Sequence, residues 1–157
     1  MNPYAGLVRT LGRTRAFAAV ARHALPPVDR RFRDRRHTLA SIGTDLPVCY
    51  LTTRGRRSGL ERTSPLLYLD DGDAVVVAES NWGQRSRPEW ALNLDAEPQA
   101  ELTISGETRP VRARGASFDE EARYWPLLLE IWPGWDGYRR RAGRSIGLYV
   151  LEPRGVA

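Results

Sequence analysis

The spacing of hydrophobic and polar positions changes near residue 47. Before it, Leu7, Leu11, Phe17, Val20 and Ala24 recur at rough helical intervals with arginines between them. Pro26 and Pro27 break that run, and "VDRRFRDRRHTLA" predicts a second short helix. Residues 1–38 are therefore expected to form a helical arm. Two packed helices with solvated arginines fit this pattern, and so does an arginine-rich arm against an anionic membrane surface.

From residue 47 the period is that of strands. "PVCYLTT" is β-rich, and "RTSPLLYL" and "AVVVAES" flank the turn sequence "DDGD", which predicts a hairpin. In "NWGQRSRPEWALNLDAEP", Ser86 is the expected N-cap and Pro88 sits early in a short helix that Pro98 ends. "QAELTIS" and "ETRPVRARG" predict a second hairpin across Ser105 and Gly106, and Pro110 implies that it has an edge. "SFDE" at 117–120 has capping-box spacing. The helix after it carries Trp125, Leu128, Leu129 and Trp132 on one side, and "PGWDGY" is expected to stop it. "IGLYVLEP" is a last strand. The order is α+β with an antiparallel sheet, and strands of this number commonly close into a small barrel.

Length and composition narrow the picture. The chain has 157 residues, which suits a single domain over 1–157, with the arm at 1–38 and the barrel at 46–152. Its single cysteine, Cys49, cannot make an internal disulfide, and a reducing cytoplasm fits. The net charge is +5, and all 24 basic residues are arginine. That balance favours an anionic partner such as phosphate, carboxylate, membrane surface or nucleic acid. No apolar run approaches a membrane span, and the N-terminus lacks the pattern of a secretory signal.

Several stretches can carry chemistry. "RGRRSG" at 54–59 sets Arg56, Arg57 and Ser58 between glycines, with Arg62, Thr63 and Ser64 close behind. Exposed backbone N–H groups in such a loop can form an anion-binding concavity, and arginine grips phosphate or carboxylate through two parallel bonds. The same stretch also reads as a solvated surface turn. At 78–83, "AESNWG" ends a strand in Ser80 and Asn81, where a hydroxyl and N–H groups can face the edge of a flat ring or simply turn the chain. Trp90 and Asn93 share one helix face. Asn93 then either clamps a neighbouring loop or contacts a cofactor. Trp132, Trp135 and Tyr138 recur every three residues in a stretch broken by proline and glycine, so they can wall a pocket for a flat substrate or belong to the core. His23 and His37 are bystanders in the arm. No paired carboxylates, Ser/His/Asp order, phosphate loop or dinucleotide fingerprint is present.

Taken together and in order, "LTTRGRRSGLERTSPLLYL", "VVVAESNWG" and "RPEWALNLDAEPQAEL" resemble the deazaflavin-dependent nitroreductase and quinone reductase family of actinobacteria. The likeness covers 46–114 closely and runs more weakly through "YWPLLLEIWPGWDGY" to the last strand. It implies a split β-barrel of the FMN-binding type and the 5-deazaflavin coenzyme F-420. By position it assigns the coenzyme's phosphate and polyglutamate tail to Arg56, Arg57, Ser58, Arg62, Thr63, Ser64, Pro65, Leu66 and Leu67. It sets Ala78, Glu79, Ser80 and Asn81 beside the deazaflavin ring, and Glu89, Trp90, Ala91, Leu92 and Asn93 as further contacts. Trp132, Trp135 and Tyr138 correspond to the wall of the substrate pocket. The chain departs from the family in having Trp82 where a second glycine is usual and Ala91 where tyrosine is usual.

The resemblance implies hydride transfer from the reduced coenzyme to a quinone, nitroaromatic or activated alkene. Catalytic roles are expected for Ser80, which can hold a substrate or ring oxygen as charge develops, and for Tyr138, with Tyr138 or water supplying the proton. No metal and no nucleic acid are expected. The protein is expected in the cytoplasm, with the arm as a peripheral contact at the inner face of the membrane. The rival readings are an FMN-dependent oxidoreductase of the same fold, a non-catalytic deazaflavin carrier, and a basic module binding nucleic acid or membrane through the arm.

Overall fold

A computed structural model describes residues 46–155. The helical arm expected at 1–38, its histidines and its membrane contact fall outside the described residues. The strands are β1 (Val48–Arg54), β2 (Glu61–Asp71), β3 (Ala74–Ala78), β4 (Gln99–Ile104), β5 (Glu107–Gly115) and β6 (Leu148–Pro153). The helices are α1 (Glu89–Ala96), α2 (Phe118–Ile131) and α3 (Gly134–Ala142), with a short 3-10 turn at Asn81–Gly83. The strands close antiparallel in the order β1-β2-β3-β6-β5-β4, and β4 pairs back onto β1 through Leu51 opposite Leu102. This is the expected α+β split barrel.

The local signals explain the turns. Gly72 takes φ +75° at the β2–β3 hairpin, where the Asp70 carboxylate accepts its N–H at 3.1 Å. Ser105 and Gly106 both have positive φ, as a two-residue hairpin turn requires. Pro110 stands where the β5–β6 ladder begins: Val111 pairs with Pro153, while Glu107 to Arg109 pair with β4 alone. The edge that Pro110 implies is confined to that overhang.

Alternation along the strands builds two apolar layers. Cys49, Leu51, Val75, Val77, Leu102, Val111 and Leu151 fill the barrel, and α1 adds Trp90, Ala91 and Leu94 to this layer. The alternate residues Val76, Ala78, Leu148 and Val150 point outward and are covered by Tyr124, Trp125 and Leu128 of α2 and Trp135 and Tyr138 of α3. Each such Val or Leu contributes about 1.5–3 kcal/mol by leaving water. Because β3 is buried on both faces, its sequence reads as an unbroken apolar run rather than an alternating one.

Ser117 caps α2 as its sequence predicts. Its Oγ accepts the Glu120 N–H at 3.3 Å, and the Glu120 carboxylate accepts the Ser117 N–H at 2.8 Å. Two expectations are corrected here. "PGWDGY" does not merely end a helix: Pro133 is the N-cap of α3, which continues until Gly143 turns left-handed at φ +63°. Trp135, Tyr138 and Ala142, three and four residues apart, give that helix its buried face. Ser86 is not the N-cap of α1. Pro88 is, and the Ser86 carbonyl instead accepts the Asn81 side-chain amide at 2.9 Å.

Candidate functional site

The β1–β2 loop is braced from below. Gly59, with φ +69°, donates its N–H to the Gly55 carbonyl at 2.7 Å, and Gly55 donates to the Leu60 carbonyl at 2.8 Å. The Leu60 N–H reaches Ser58 Oγ at 3.2 Å. Asn93 in α1 accepts the Arg56 N–H through Oδ1 at 3.0 Å and donates its own amide to Thr53 Oγ1 at 3.1 Å. Of the two roles the sequence leaves open for Asn93, the structure shows the clamp.

The N–H groups of Gly55, Arg56, Gly59 and Leu60 are thus spent inside the protein. At those four positions an anion has to be met by side chains. The Arg56 guanidinium pairs with Glu89 at the start of α1, and that pairing holds the Glu89 carboxyl below the usual carboxylate range. Arg54, Arg57, Ser58 and Arg62 stand exposed around the loop. Thr63 and Ser64 are half-buried on β2, as are Pro65, Leu66 and Leu67, and Thr63 Oγ1 lies 2.8 Å from Thr52 Oγ1.

A second brace fixes the end of β3. The Glu79 carboxylate is buried and accepts Arg87 Nε at 2.6 Å, Arg144 at 3.3 Å and the Gly147 N–H at 3.3 Å. Arg144 also donates to the Glu79 carbonyl at 2.8 Å. Arg87 continues the network to Asp95 at 2.8 Å and to the Tyr149 hydroxyl at 2.7 Å. The hydrogen bonds that Arg87 donates to Asp95 and Glu79 push it well above its ordinary pKa. Burial pushes Asp95 up, but its bonds from Arg87 and Tyr149 outweigh it and leave the carboxyl lowered. Glu79 is therefore a structural post beside Ser80. Ala78 is buried behind it. The Ser80 side chain caps nothing and is half-exposed.

Helix α1 joins the two braced segments: Glu89 and Asn93 hold the basic loop, while Asp95 meets Arg87. Trp90 and Ala91 are buried in the barrel layer, and Leu92 is half-buried. The aromatic trio expected to line a pocket belongs to the core instead. Trp132 is 4% exposed, Trp135 4% and Tyr138 2%. The extra helix folds them inward. Burial raises the Tyr138 pKa, with the Trp132 side chain and Arg141 pulling the other way. Thr53, Arg87, Arg144, Asp95 and Tyr149 escape sequence reasoning because their partners lie up to 65 residues away. Arginine abundance masks the two that matter.

Comparison with known proteins places this geometry. Residues 28–153 match the family model for F420H(2)-dependent quinone reductase. A Mycobacterium tuberculosis relative bearing that family's name is 38% identical over 115 residues, 73% of this chain and 97% of its own. An F420H(2)-dependent quinone reductase of the same organism is 30% identical over 114 residues, 69% of this chain and 74% of that one. The solved structure of an F420-H2 dependent reductase superposes with a TM-score of 0.62 at 26% identity, covering 68% of this chain and 94% of that one. A structure described as a domain-swapped dimer shares the fold, with a TM-score of 0.65 at 24% identity over 78% of this chain and 92% of that one.

The chain belongs to the F420H(2)-dependent quinone reductase family. It is an oxidoreductase that uses coenzyme F-420 and passes hydride to a small-molecule acceptor, a quinone. Among the described residues, no helix is long and apolar enough to cross a membrane.

Proposed function

We propose that the β1–β2 loop holds the anionic tail of coenzyme F-420 and that the end of β3 presents its ring to the quinone. The observation that carries this reading is the braced loop. Arg54, Arg57, Ser58 and Arg62 are exposed around a turn that Asn93 and Glu89 fix to α1. Donors of this kind suit a chain of phosphate and carboxylate groups, because charge-assisted bonds from arginine are short, strong and often paired. Arg56 belongs to the same loop, and Thr63, Ser64, Pro65, Leu66 and Leu67 follow it on β2, with Leu66 packed into the barrel and Leu67 against the outer layer.

When bound and reduced, the coenzyme supplies a hydride, and the protein supplies position and electrostatics. The residues Ala78 to Asn81 align the ring, with Glu79 fastening the segment from behind. Glu89 and Asn93 act through the loop, and Trp90, Ala91 and Leu92 seat the helix that carries them. The quinone gains two electrons and one hydrogen as hydride, then a proton, and leaves as the hydroquinone. Ser80 donates its hydroxyl to the quinone oxygen as negative charge develops there. Tyr138 stays protonated and, with Trp132 and Trp135, backs the site from the core, so the proton comes from water. Nitroaromatics and activated alkenes are electron-poor and can accept hydride in the same position. The arm at 1–38 meets an anionic membrane surface through its arginines; sedimentation with anionic vesicles tests that part.

The test of the tail site is the double variant R57A/R62A. Its Kd for coenzyme F-420 should rise by about tenfold or more, since each charge-assisted bond contributes about 1.5–3 kcal/mol. Turnover at saturating coenzyme should stay near wild type. Unchanged affinity would sink the site.

A further inference from the structure

Four of the five tryptophans are buried: Trp90, Trp125, Trp132 and Trp135 are each 8% exposed or less. Trp82 alone is half-exposed. It also has φ 57° and ψ 23°, the left-handed conformation that a bulky side chain avoids. Asn81 before it is left-handed too, at φ 42°, which asparagine tolerates.

The surroundings enforce this conformation. Asn81 is tied to the Ser86 carbonyl at 2.9 Å, and Arg144 fastens the Glu79 carbonyl at 2.8 Å. Gly83, with φ +77°, passes so close to α3 that a Cβ there would lie 2.9 Å from Tyr138 Cα. The chain between these anchors has only a tight turn available, and the turn puts the indole two residues from Ser80. Its ring meets Tyr138 edge to face, with centroids 6.2 Å apart and planes at 63°. That contact fixes the indole while leaving part of it open. A strained, over-determined residue of this kind points to function when it stands at a site.

We propose that Trp82 is the specificity-determining residue for the acceptor: its indole is the face on which a fused-ring quinone lies during reduction. The inference rests on the reading that the Ser80 segment presents the coenzyme ring. It moves the aromatic wall from Trp132, Trp135 and Tyr138, which are enclosed, to the one tryptophan that solvent reaches.

The experiment compares menadione, a fused-ring quinone, with 1,4-benzoquinone, a single ring. Relative kcat/KM is measured for wild type, W82G, W82N and W82F, and the Kd for coenzyme F-420 is measured directly by equilibrium binding. W82G relieves the backbone and removes the ring; W82N keeps a residue that tolerates the conformation and also lacks the ring. Both should lower the preference for menadione roughly fivefold, the scale of one lost aromatic contact. Their coenzyme affinity should stay within about twofold of wild type on the same scale. W82F should restore most of the preference. A variant that binds coenzyme normally and keeps the menadione preference overturns this inference alone, and so do equal losses on both quinones. Wild-type protein that binds no coenzyme overturns the underlying reading and this inference with it.

Discussion

The Arg56 backbone N–H and the Asn93 side-chain carbonyl meet at 3.0 Å, joining the exposed basic loop to the buried face of α1. The Asn93 amide nitrogen completes the clamp on Thr53 Oγ1, which is itself buried. Replacing Asn93 by leucine leaves both partners unsatisfied. An orphaned buried group such as the Thr53 hydroxyl costs about 1–3 kcal/mol, so N93L should lower the denaturation midpoint visibly in a urea melt. Affinity for coenzyme F-420 should fall with it, because the loop loses its support. A melt identical to wild type would show that the clamp contributes nothing.

Glu79 is the common acceptor for Arg87 and Arg144. Removing it leaves a largely buried Arg144 without its counter-charge. E79A should therefore cost about 3 kcal/mol, the scale of breaking a buried pair from one side. R144M should cost less, since Arg87 still neutralises the carboxylate. Equal losses in the two variants, measured by denaturant unfolding, would argue against this ordering.

Acid stability should depend on Glu120. Two bonds from Arg114 and one from the Ser117 N–H hold its carboxyl at about 2, against an ordinary value of 4.5. A depressed carboxyl stabilises the fold above its unfolded pKa. As pH falls from 4.5 toward 2, the unfolded chain takes up a proton that the folded chain refuses, and stability is lost. E120Q should flatten the slope of unfolding free energy between pH 5 and pH 3, an interval chosen to straddle the roughly 4.3 of a free glutamate. An unchanged slope in E120Q would remove Glu120 as its source.

Cys49 lies inside the barrel, and burial pushes its thiol up to about 12. The thiolate is the reactive form, so native protein should resist alkylation by iodoacetamide. Modification should appear only as denaturant unfolds the barrel, in step with the global transition. Rapid labelling of native protein would mean that the barrel opens locally around β1.

Much of the barrel is written locally in the sequence. "DDGD" and Ser105–Gly106 specify their turns by conformation, and "SFDE" caps its helix within four residues. The basic loop stands out for the same reason. Helix α3 is harder to read because Pro133 and Gly134 look like a stop, although proline also begins helices. The signal that finds it is the three-and-four spacing of Trp135, Tyr138 and Ala142. The Glu79 network is less legible still. Arg144 reaches Glu79 only when β3 pairs with β6, across 65 residues of chain. Trp82 gives no local hint of its backbone, since the packing of Gly83 on Tyr138 imposes it.

The most direct test of the central claim is a binding titration of the whole protein with coenzyme F-420, run beside one with FMN. The basic loop and its braces predict tight binding of F-420, whose tail carries several negative charges, and weak binding of FMN with its single phosphate. Affinity for F-420 should also fall with added salt as screening weakens the exposed arginines. A preference for FMN, or binding of neither, would contradict the account.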